Sequence, residues 1–221
     1  TIKSIAKQIL KGVCHMHRNG YAHCDLKPDN VLLMKTENYY SKEYIASHGL
    51  QDQEFVAKIY DYSLATSNDD GRRFQIYGTS NYNSPEMALA VEEYGVAQDI
   101  WFVGHIIFYL MKLHNLFRGR DMGTQLRSII EILGNPGKFQ NHQDEDLQYG
   151  LKTDMYRLLR SRGIRNQDYY KDVPLERVLG ERCLEGYSEI CDIVKLCLRW
   201  DPKKRPSAKD LLETPFFKGH R

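Results

Sequence analysis

A mainly α-helical domain with a small strand element near its start is the fold class that this sequence predicts. Three observations predict it. Apolar residues recur at helical spacing in several separate segments, and the segment from Asp99 to Leu113 is apolar nearly all round, the mark of a helix buried on every side. The two strand candidates are short and lie in the first part of the chain.

The elements follow in order. Ile2, Ile5, Ile9, Val13 and Met16 fall on one helical face, and Asn19-Gly20 supplies the stop. A turn-rich stretch, Tyr21 to Asn30, leads into Val31-Leu32-Leu33-Met34 as a strand. Residues 35–54 are polar and without period, a long loop of the kind that is commonly functional. Phe55 to Ile59 reads as a second strand, and residues 61–86 carry no sustained period, with a turn signal at Asn68-Asp69-Asp70-Gly71. From Ala97 on the pattern is helical. Leu126, Ile129, Ile130 and Leu133 make a helix ended by Gly134, with Pro136 beyond. Residues 141–180 are polar and charged, with short amphipathic pieces. Ile190, Ile193, Val194 and Cys197 give a further helix, and Ser207 to Asp210 forms a capping box that opens a last short one.

Composition narrows the function. The 221 residues are 42% hydrophobic and 27% charged, with a formal net charge of +2, which is ordinary for a globular domain. No basic tract of the kind that grips nucleic acid is present, so nucleic acid is not an expected partner. The apolar run Trp101 to Met111 is roughly half the ~20 residues that a bilayer span needs, so no membrane partner is expected either. Cys14, Cys24, Cys183, Cys191 and Cys197 are odd in number and lack CxxC spacing. They predict neither a disulfide framework nor a zinc site, and a reducing compartment.

The chemistry concentrates in His23-Cys24-Asp25-Leu26-Lys27-Pro28-Asp29-Asn30 and, after the strands, in Asp61-Tyr62-Ser63. A hard divalent cation takes oxygen ligands such as Asn30 and Asp61. A transferring phosphoryl group needs a cation beside it, which Lys27 can supply, and an attacking hydroxyl needs a positioned carboxylate, which Asp25 can be. Each of these residues alone is an ordinary turn residue. Their order and the strand between them make the set a candidate site.

With these residues the chain resembles the eukaryotic-type protein kinase family. His23 to Asn30 is similar to the family's HRDLKPxN catalytic loop, Asp61-Tyr62-Ser63 to DFG, and Ser84-Pro85-Glu86 to APE. Asp99 to Gly104 resembles the DxWSxG start of the buried central helix, and Arg205 the arginine that pairs with the APE glutamate. The resemblance covers residues 1 to about 218. It implies that Asp25 accepts or orients the substrate hydroxyl proton, that Lys27 steadies the transferring phosphate, and that Asn30 and Asp61 hold Mg2+. Leu32 would lie under the adenine of ATP, and Thr79 would bond to Asp25 and Lys27; Lys27 and Thr79 together give the serine/threonine type. Glu86 and Arg205 become a buried ion pair, Asp99 an anchor of the catalytic-loop backbone, and Trp101 and His23 packing residues. His15 and His17 are read as surface or core histidines, not ligands. Leu116 to Arg120, followed by Gln125 to Pro136, is similar to the insert of the CMGC group. Within that group Leu158 to Arg162 is faintly like casein kinase 2 and the cyclin-dependent kinases are the other resemblance, although residues 77–83 lack the arginine expected of proline-directed kinases.

The division implied is a catalytic loop at 21–30, a long loop at 35–54, an activation segment at 61–86, a buried helix at 97–113, an insert region at 114–180 and terminal helices at 187–217. ATP and Mg2+ are the implied cofactors. A protein substrate and a regulatory subunit are the implied partners, and the cytoplasm or nucleus the implied location. Two residues depart from the pattern. Cys24 replaces the arginine that would receive an activation-loop phosphate, because a guanidinium binds phosphate bidentately and a thiol does not. Ser63 replaces a glycine whose backbone freedom serine lacks. No glycine-rich phosphate loop, lysine strand or helix with a paired glutamate is found. The chain is therefore expected to be the helical C-lobe of an α+β kinase fold, with the N-lobe absent and no activity by itself. A pseudokinase that binds partners is the alternative, and a small-molecule phosphotransferase ranks last, since it needs no Ser84-Pro85-Glu86, Trp101 or Arg205.

Overall fold

Ile5, Ile9, Leu10 and Val13 give the first helix, α1 (Ile2–Arg18), a continuous buried face. Later elements converge on it in this computed structural model, which describes residues 2–35, 55–67, 80–88, 95–134, 175–180 and 188–219. After the Asn19-Gly20 turn come β1 (Tyr21–Ala22), a 3-10 turn over Pro28–Asn30, β2 (Val31–Lys35), β3 (Phe55–Ile59) and β4 (Thr66–Ser67). Strands β2 and β3 pair antiparallel from Val31 opposite Ile59 to Lys35 opposite Phe55. Strand β1 pairs antiparallel with β4, Tyr21 opposite Ser67 and Ala22 opposite Thr66.

The period of two along β3 decides how the hairpin sits. Phe55, Ala57 and Ile59 are partly buried, while Val56 and Lys58 face outward. The open edge of β3 is met by a side chain: Gln8 Nε2 donates to the Phe55 carbonyl at 3.1 Å, and Gln8 Oε1 accepts from the Ala57 N–H at 2.9 Å. One amide on α1 thus does the work of a neighbouring strand at two otherwise unpaired backbone groups.

The remaining helices are α2 (Pro85–Ala88), α3 (Ala97–Lys112), α4 (Met122–Leu133), α5 (Leu175–Leu179), α6 (Ser188–Cys197), α7 (Ala208–Leu212) and α8 (Pro215–Lys218). Helix α3 is the centre: every residue from Gln98 to Phe108 is buried. It packs against α1 and α6, and Gly104 sets the closeness of α6. A Cβ built at Gly104 would stand 2.7 Å from Cys197 Cβ, so no other residue fits without moving a helix. The capping box at Ser207 and Asp210 is formed, and a second one joins Asp121 and Thr124 at the start of α4.

A layer of rings fills the space between α3 and the segment before α2. Trp101 stacks on Phe117 with centroids 5.5 Å apart, and His105 lies 4.7 Å from Phe117 and 5.7 Å from Tyr82. The Arg205 guanidinium sits 5.0 Å over Trp101 and forks onto Glu86, Nη1 to Oε1 at 2.5 Å and Nη2 to Oε2 at 2.7 Å. Both side chains are fully buried. Arg205 also donates to the carbonyls of Arg199, Ala97 and Trp200, so the buried cation is satisfied on every side.

The mainly helical expectation and the two strands at 31–34 and 55–59 agree with these elements. Strand β4, α2, α8 and the 3-10 turn Ser80–Tyr82 were not anticipated; each has four residues or fewer, too few to print a period. The buried helix ends one residue early: Leu113 takes a left-handed φ of 58° and is 78% exposed. Cys191 is disulfide-bonded, contrary to the expectation of reduced cysteines, whereas Cys14, Cys24 and Cys197 are free thiols. The 36–54 loop, the 68–71 turn and residues 135–174 of the insert region lie outside the described residues. Among the described residues no helix is long and apolar enough to cross a membrane.

Two stability outcomes follow from this layer. Arg205→Ala leaves Glu86 as an unpaired buried charge and is expected to destabilise the domain by about 3–5 kcal/mol in urea unfolding. Burial alone pulls the His105 imidazole down to about 3, and neither ring nitrogen has a hydrogen-bond partner among the described residues. The unfolded chain binds the proton near the ordinary 6.5, so this contribution to stability is complete above that pH and is lost as pH falls toward 3, at up to roughly 1.4 kcal/mol per pH unit. His105→Leu is expected to flatten the measured stability slope between pH 6.5 and 5; an unchanged slope would assign it to other groups.

Candidate active site

The loop from His23 to Asn30 is held by one carboxylate. Asp99, in the first turn of α3 and wholly buried, accepts the His23 N–H at 2.8 Å and the Cys24 N–H at 3.0 Å. His17 Nε2 of α1 lies 2.9 Å from the same carboxylate. This grip supports a backbone that a bulky residue otherwise avoids, since Cys24 has a φ of 68°. The Cys24 thiol is buried beside Thr66 Oγ1, 3.9 Å away on β4. Burial first, and the Asp99 charge second, push its pKa up to about 12, so it stays a neutral thiol.

Asp25 follows immediately. Its Oδ2 lies 2.8 Å from Lys27 Nζ, and Asn30 Nδ2 donates to its backbone carbonyl at 2.8 Å and to Oδ2 at 3.2 Å. The 3-10 turn, begun by Pro28, brings Asn30 back over Asp25. A carboxylate, an ammonium and an amide therefore share one loop, as the sequence predicts.

The ladder between β2 and β3 brings in the second carboxylate. Tyr60 N–H donates to the Asn30 carbonyl at 3.1 Å, one step past the end of β3, and Asp61 comes next. Three further contacts fix this corner: His23 Nε2 is 3.1 Å from the Tyr60 carbonyl, Tyr60 Oη donates to the Asp29 carbonyl at 2.6 Å, and the Tyr62 ring packs 5.3 Å from His23. Asp61 is exposed, with a φ of 61°. Its Oδ1 accepts from Ser63 Oγ at 2.6 Å and from Ser63 N–H at 3.4 Å. These bonds, with Lys27 and His23 adding smaller attractions, hold the Asp61 carboxyl below the usual carboxylate range. The left-handed backbone falls on Asp61 and not on Ser63, so serine carries no such strain here.

The donor set fits a hard cation. Asn30 spends its amide nitrogen on Asp25, which leaves its side-chain oxygen as a ligand, and ionised Asp61 offers Oδ2, which has no hydrogen-bond partner among the described residues. Leu32 is 47% exposed on the outward face of β2, opposite Lys58. Thr79 lies outside the described residues.

Three positioning groups escape the sequence reading. His17, read as a histidine without a role, bridges α1 to Asp99. Gln125, fully buried on α4, donates to the carbonyls of Asn81 and Asn83 at 3.2 and 3.0 Å and accepts from the Gly119 N–H at 3.2 Å. It ties the segment before α2 to α4, and a Cβ at Gly119 would stand 2.2 Å from Gln125 Cα. The Ser63 hydroxyl bond to Asp61 is the third. Only Gln125 had a signal, as part of the insert resemblance.

The protein kinase domain family matches residues 1–217. The meiosis induction protein kinase IME2/SME1 of Saccharomyces cerevisiae is 34% identical over 98% of this chain and 34% of its own length. The cyclin-dependent kinase F-3 of Oryza sativa is 30% identical over 98% of this chain and 42% of its own length, and the serine/threonine-protein kinase MAK of Homo sapiens 30% over 98% and 29%. The chain thus spans between 29% and 42% of the length of these curated relatives. These relatives are kinases of the CMGC group, and the pseudokinase alternative finds no support in them.

The match overturns one expectation. The reading of the chain as a C-lobe with the N-lobe absent took its warrant from motifs not found, and the expected inactivity rested on that division. The family match runs through residues 1–217 as kinase domain and sets no lobe apart. A short motif can drift beyond recognition while its part of the domain persists, so its absence does not mark a missing lobe. With the match over nearly its whole length and the loop geometry in agreement, the chain belongs to the protein kinase domain family.

Proposed function

We propose that the protein is a serine/threonine kinase that transfers the γ-phosphoryl group of ATP to hydroxyl groups of a protein substrate. The observation that carries this reading is the Asp25, Lys27 and Asn30 cluster on a loop fixed by Asp99. Phosphoryl transfer asks little covalent chemistry of the protein; it asks for position and for charge in the right place. Asp25 accepts or orients the proton of the attacking hydroxyl. Lys27, 2.8 Å from Asp25, neutralises charge on the phosphoryl group as it is transferred beside Asp25. Asn30 holds Asp25 in place, and the family resemblance gives Thr79, outside the described residues, a supporting role beside Asp25 and Lys27. Leu32 offers the adenine an apolar surface. Asn30 and Asp61 would hold Mg2+, which when bound offsets the charge of the phosphate oxygens. The Glu86–Arg205 pair and Gln125 brace residues 80–86 as the platform for the substrate peptide.

The relative named as a cyclin-dependent kinase favours that resemblance over casein kinase 2, and with it a regulatory subunit as a partner. Dependence on ATP favours an intracellular location, cytoplasmic or nuclear, with the disulfide at Cys191 as the contrary sign.

A radiolabelled ATP assay with Mg2+ and a broad peptide panel tests the reading. The protein is expected to label peptides on serine or threonine, and Asp25→Asn to lower the rate by at least roughly a hundredfold. Equal rates for variant and parent, or no labelling by the folded parent, would refute it. The same assay tests a point of regulation. The neutral, buried Cys24 cannot bind an activation-loop phosphate, so Ser67→Ala is expected to keep the rate within about twofold. A phosphate on Ser67 whose loss abolishes activity would overturn that expectation.

A further inference from the structure

The protein carries an oxygen donor beside Asp61 that the glycine of the family pattern cannot supply. Ser63 Oγ donates to Asp61 Oδ1 at 2.6 Å, and the Ser63 N–H points to the same oxygen at 3.4 Å. A glycine could offer the second of these and never the first. We propose that Ser63 is a positioning residue for Asp61: its hydroxyl occupies Oδ1, fixes the carboxylate in one orientation, and leaves Oδ2 as the single oxygen presented to the divalent cation. The inference rests on the reading of Asp61 as a metal-holding residue.

The surrounding geometry favours a fixed and not a mobile carboxylate. Tyr62 Oη donates to the Ile59 carbonyl at 2.8 Å and its ring leans on His23, so the residue between Asp61 and Ser63 is folded back onto the end of β3. Ala65 N–H donates to the Tyr62 carbonyl at 3.1 Å and closes the turn 62–65 in which Ser63 sits. Asp61 meanwhile occupies a left-handed φ of 61°, a backbone state that persists only where its neighbours hold it. An exposed aspartate without such a partner samples several rotamers and offers either or both oxygens, and it must lose that freedom when it takes a metal. Here the Ser63 hydroxyl already restricts that freedom through Oδ1. Groups that hydrogen-bond a ligating carboxylate commonly set metal affinity by about tenfold or more.

Binding of Mn2+ in the presence of ADP, read from the electron paramagnetic resonance of the free ion, tests this without turnover. Ser63→Ala and Ser63→Gly are expected to weaken Mn2+ by about tenfold, and Ser63→Thr, which keeps the hydroxyl, to bind as the parent does. In the transfer assay the same two variants are expected to raise the apparent KM for Mg2+ and to leave kcat at saturating Mg2+ nearly unchanged. Because Ser63 is exposed, thermal unfolding of all three variants is expected to match the parent. Asp61→Asn separates the two readings. Loss of Mn2+ in Asp61→Asn with unaltered binding in Ser63→Ala and Ser63→Gly sinks the role of Ser63 alone. Unaltered binding in Asp61→Asn as well removes Asp61 as the metal-holding residue and takes the role of Ser63 with it.

Discussion

The carboxylate of Asp99 is the point on which the rest of the site depends. It is fully buried, and an ionised group in that position is costly unless it is hydrogen-bonded on all sides. Two consecutive backbone amides of the catalytic loop and a ring nitrogen from α1 converge on it, and its place in the first turn of α3 adds the favourable end of the helix dipole. The arrangement works in both directions. The charge is satisfied only if the loop takes one path, and the grip on the His23 and Cys24 N–H groups holds the loop where Cys24 takes its positive φ. Asp25 follows directly on that clamped peptide, and the His23 ring reaches from it to the Tyr60 carbonyl beside Asp61. A single buried charge therefore fixes the two ends of the candidate site.

Helix α3 carries this constraint to a second one. Trp101 and His105 stand four residues apart on the helix and face the ring layer with Phe117 and Tyr82, while Arg205 lies over Trp101 and grips Glu86. The same helix that holds the catalytic loop through Asp99 thus holds the segment around Glu86 through its aromatic face. Gln125 adds a clamp from α4. The distance between the group that would act on a substrate hydroxyl and the platform that would hold its peptide is set by a rigid rod, not by loops. Gly104, where α6 closes against that rod, keeps it from shifting.

Much of this was legible before the structure because it is written in patterns with a physical cause. The long helices print a period of 3.6, the β2–β3 pair prints two short runs with apolar residues at most positions, and the Ser207 cap is a local box of four residues. The catalytic cluster was legible for another reason: its residues lie close in sequence, so chemistry alone groups Asp25, Lys27 and Asn30. What escaped depends on contacts between distant residues. Nothing in the run around His17 says that it meets Asp99, and nothing near Gln8 says that it finishes the edge of β3. The exposed Leu113 followed an apolar run that the backbone leaves one residue sooner. The lobe division failed differently, because it was built on motifs that were not there. A present motif constrains geometry, whereas an absent one constrains only the search.

The two departures from the family pattern share a physical direction. An arginine at position 24 would be a charged group awaiting a phosphate from elsewhere, and a glycine at position 63 would be a free backbone joint. Cys24 instead buries a neutral thiol against Thr66, beneath the short β1–β4 ladder that already joins the catalytic loop to the next segment. Ser63 returns a hydroxyl to the carboxylate two residues before it. In both places a contact made within the chain stands where the pattern leaves a charge to be met or a joint to turn. Each contact is weak alone: the thiol–hydroxyl approach is long, and a bond at an exposed carboxylate competes with water. Their effect lies in what they restrict. Both act next to a residue held at positive φ, Cys24 on itself and Ser63 on Asp61, so each adds to constraints that already leave one conformation. On the kinase reading, such a site is set by folding more than by a later signal.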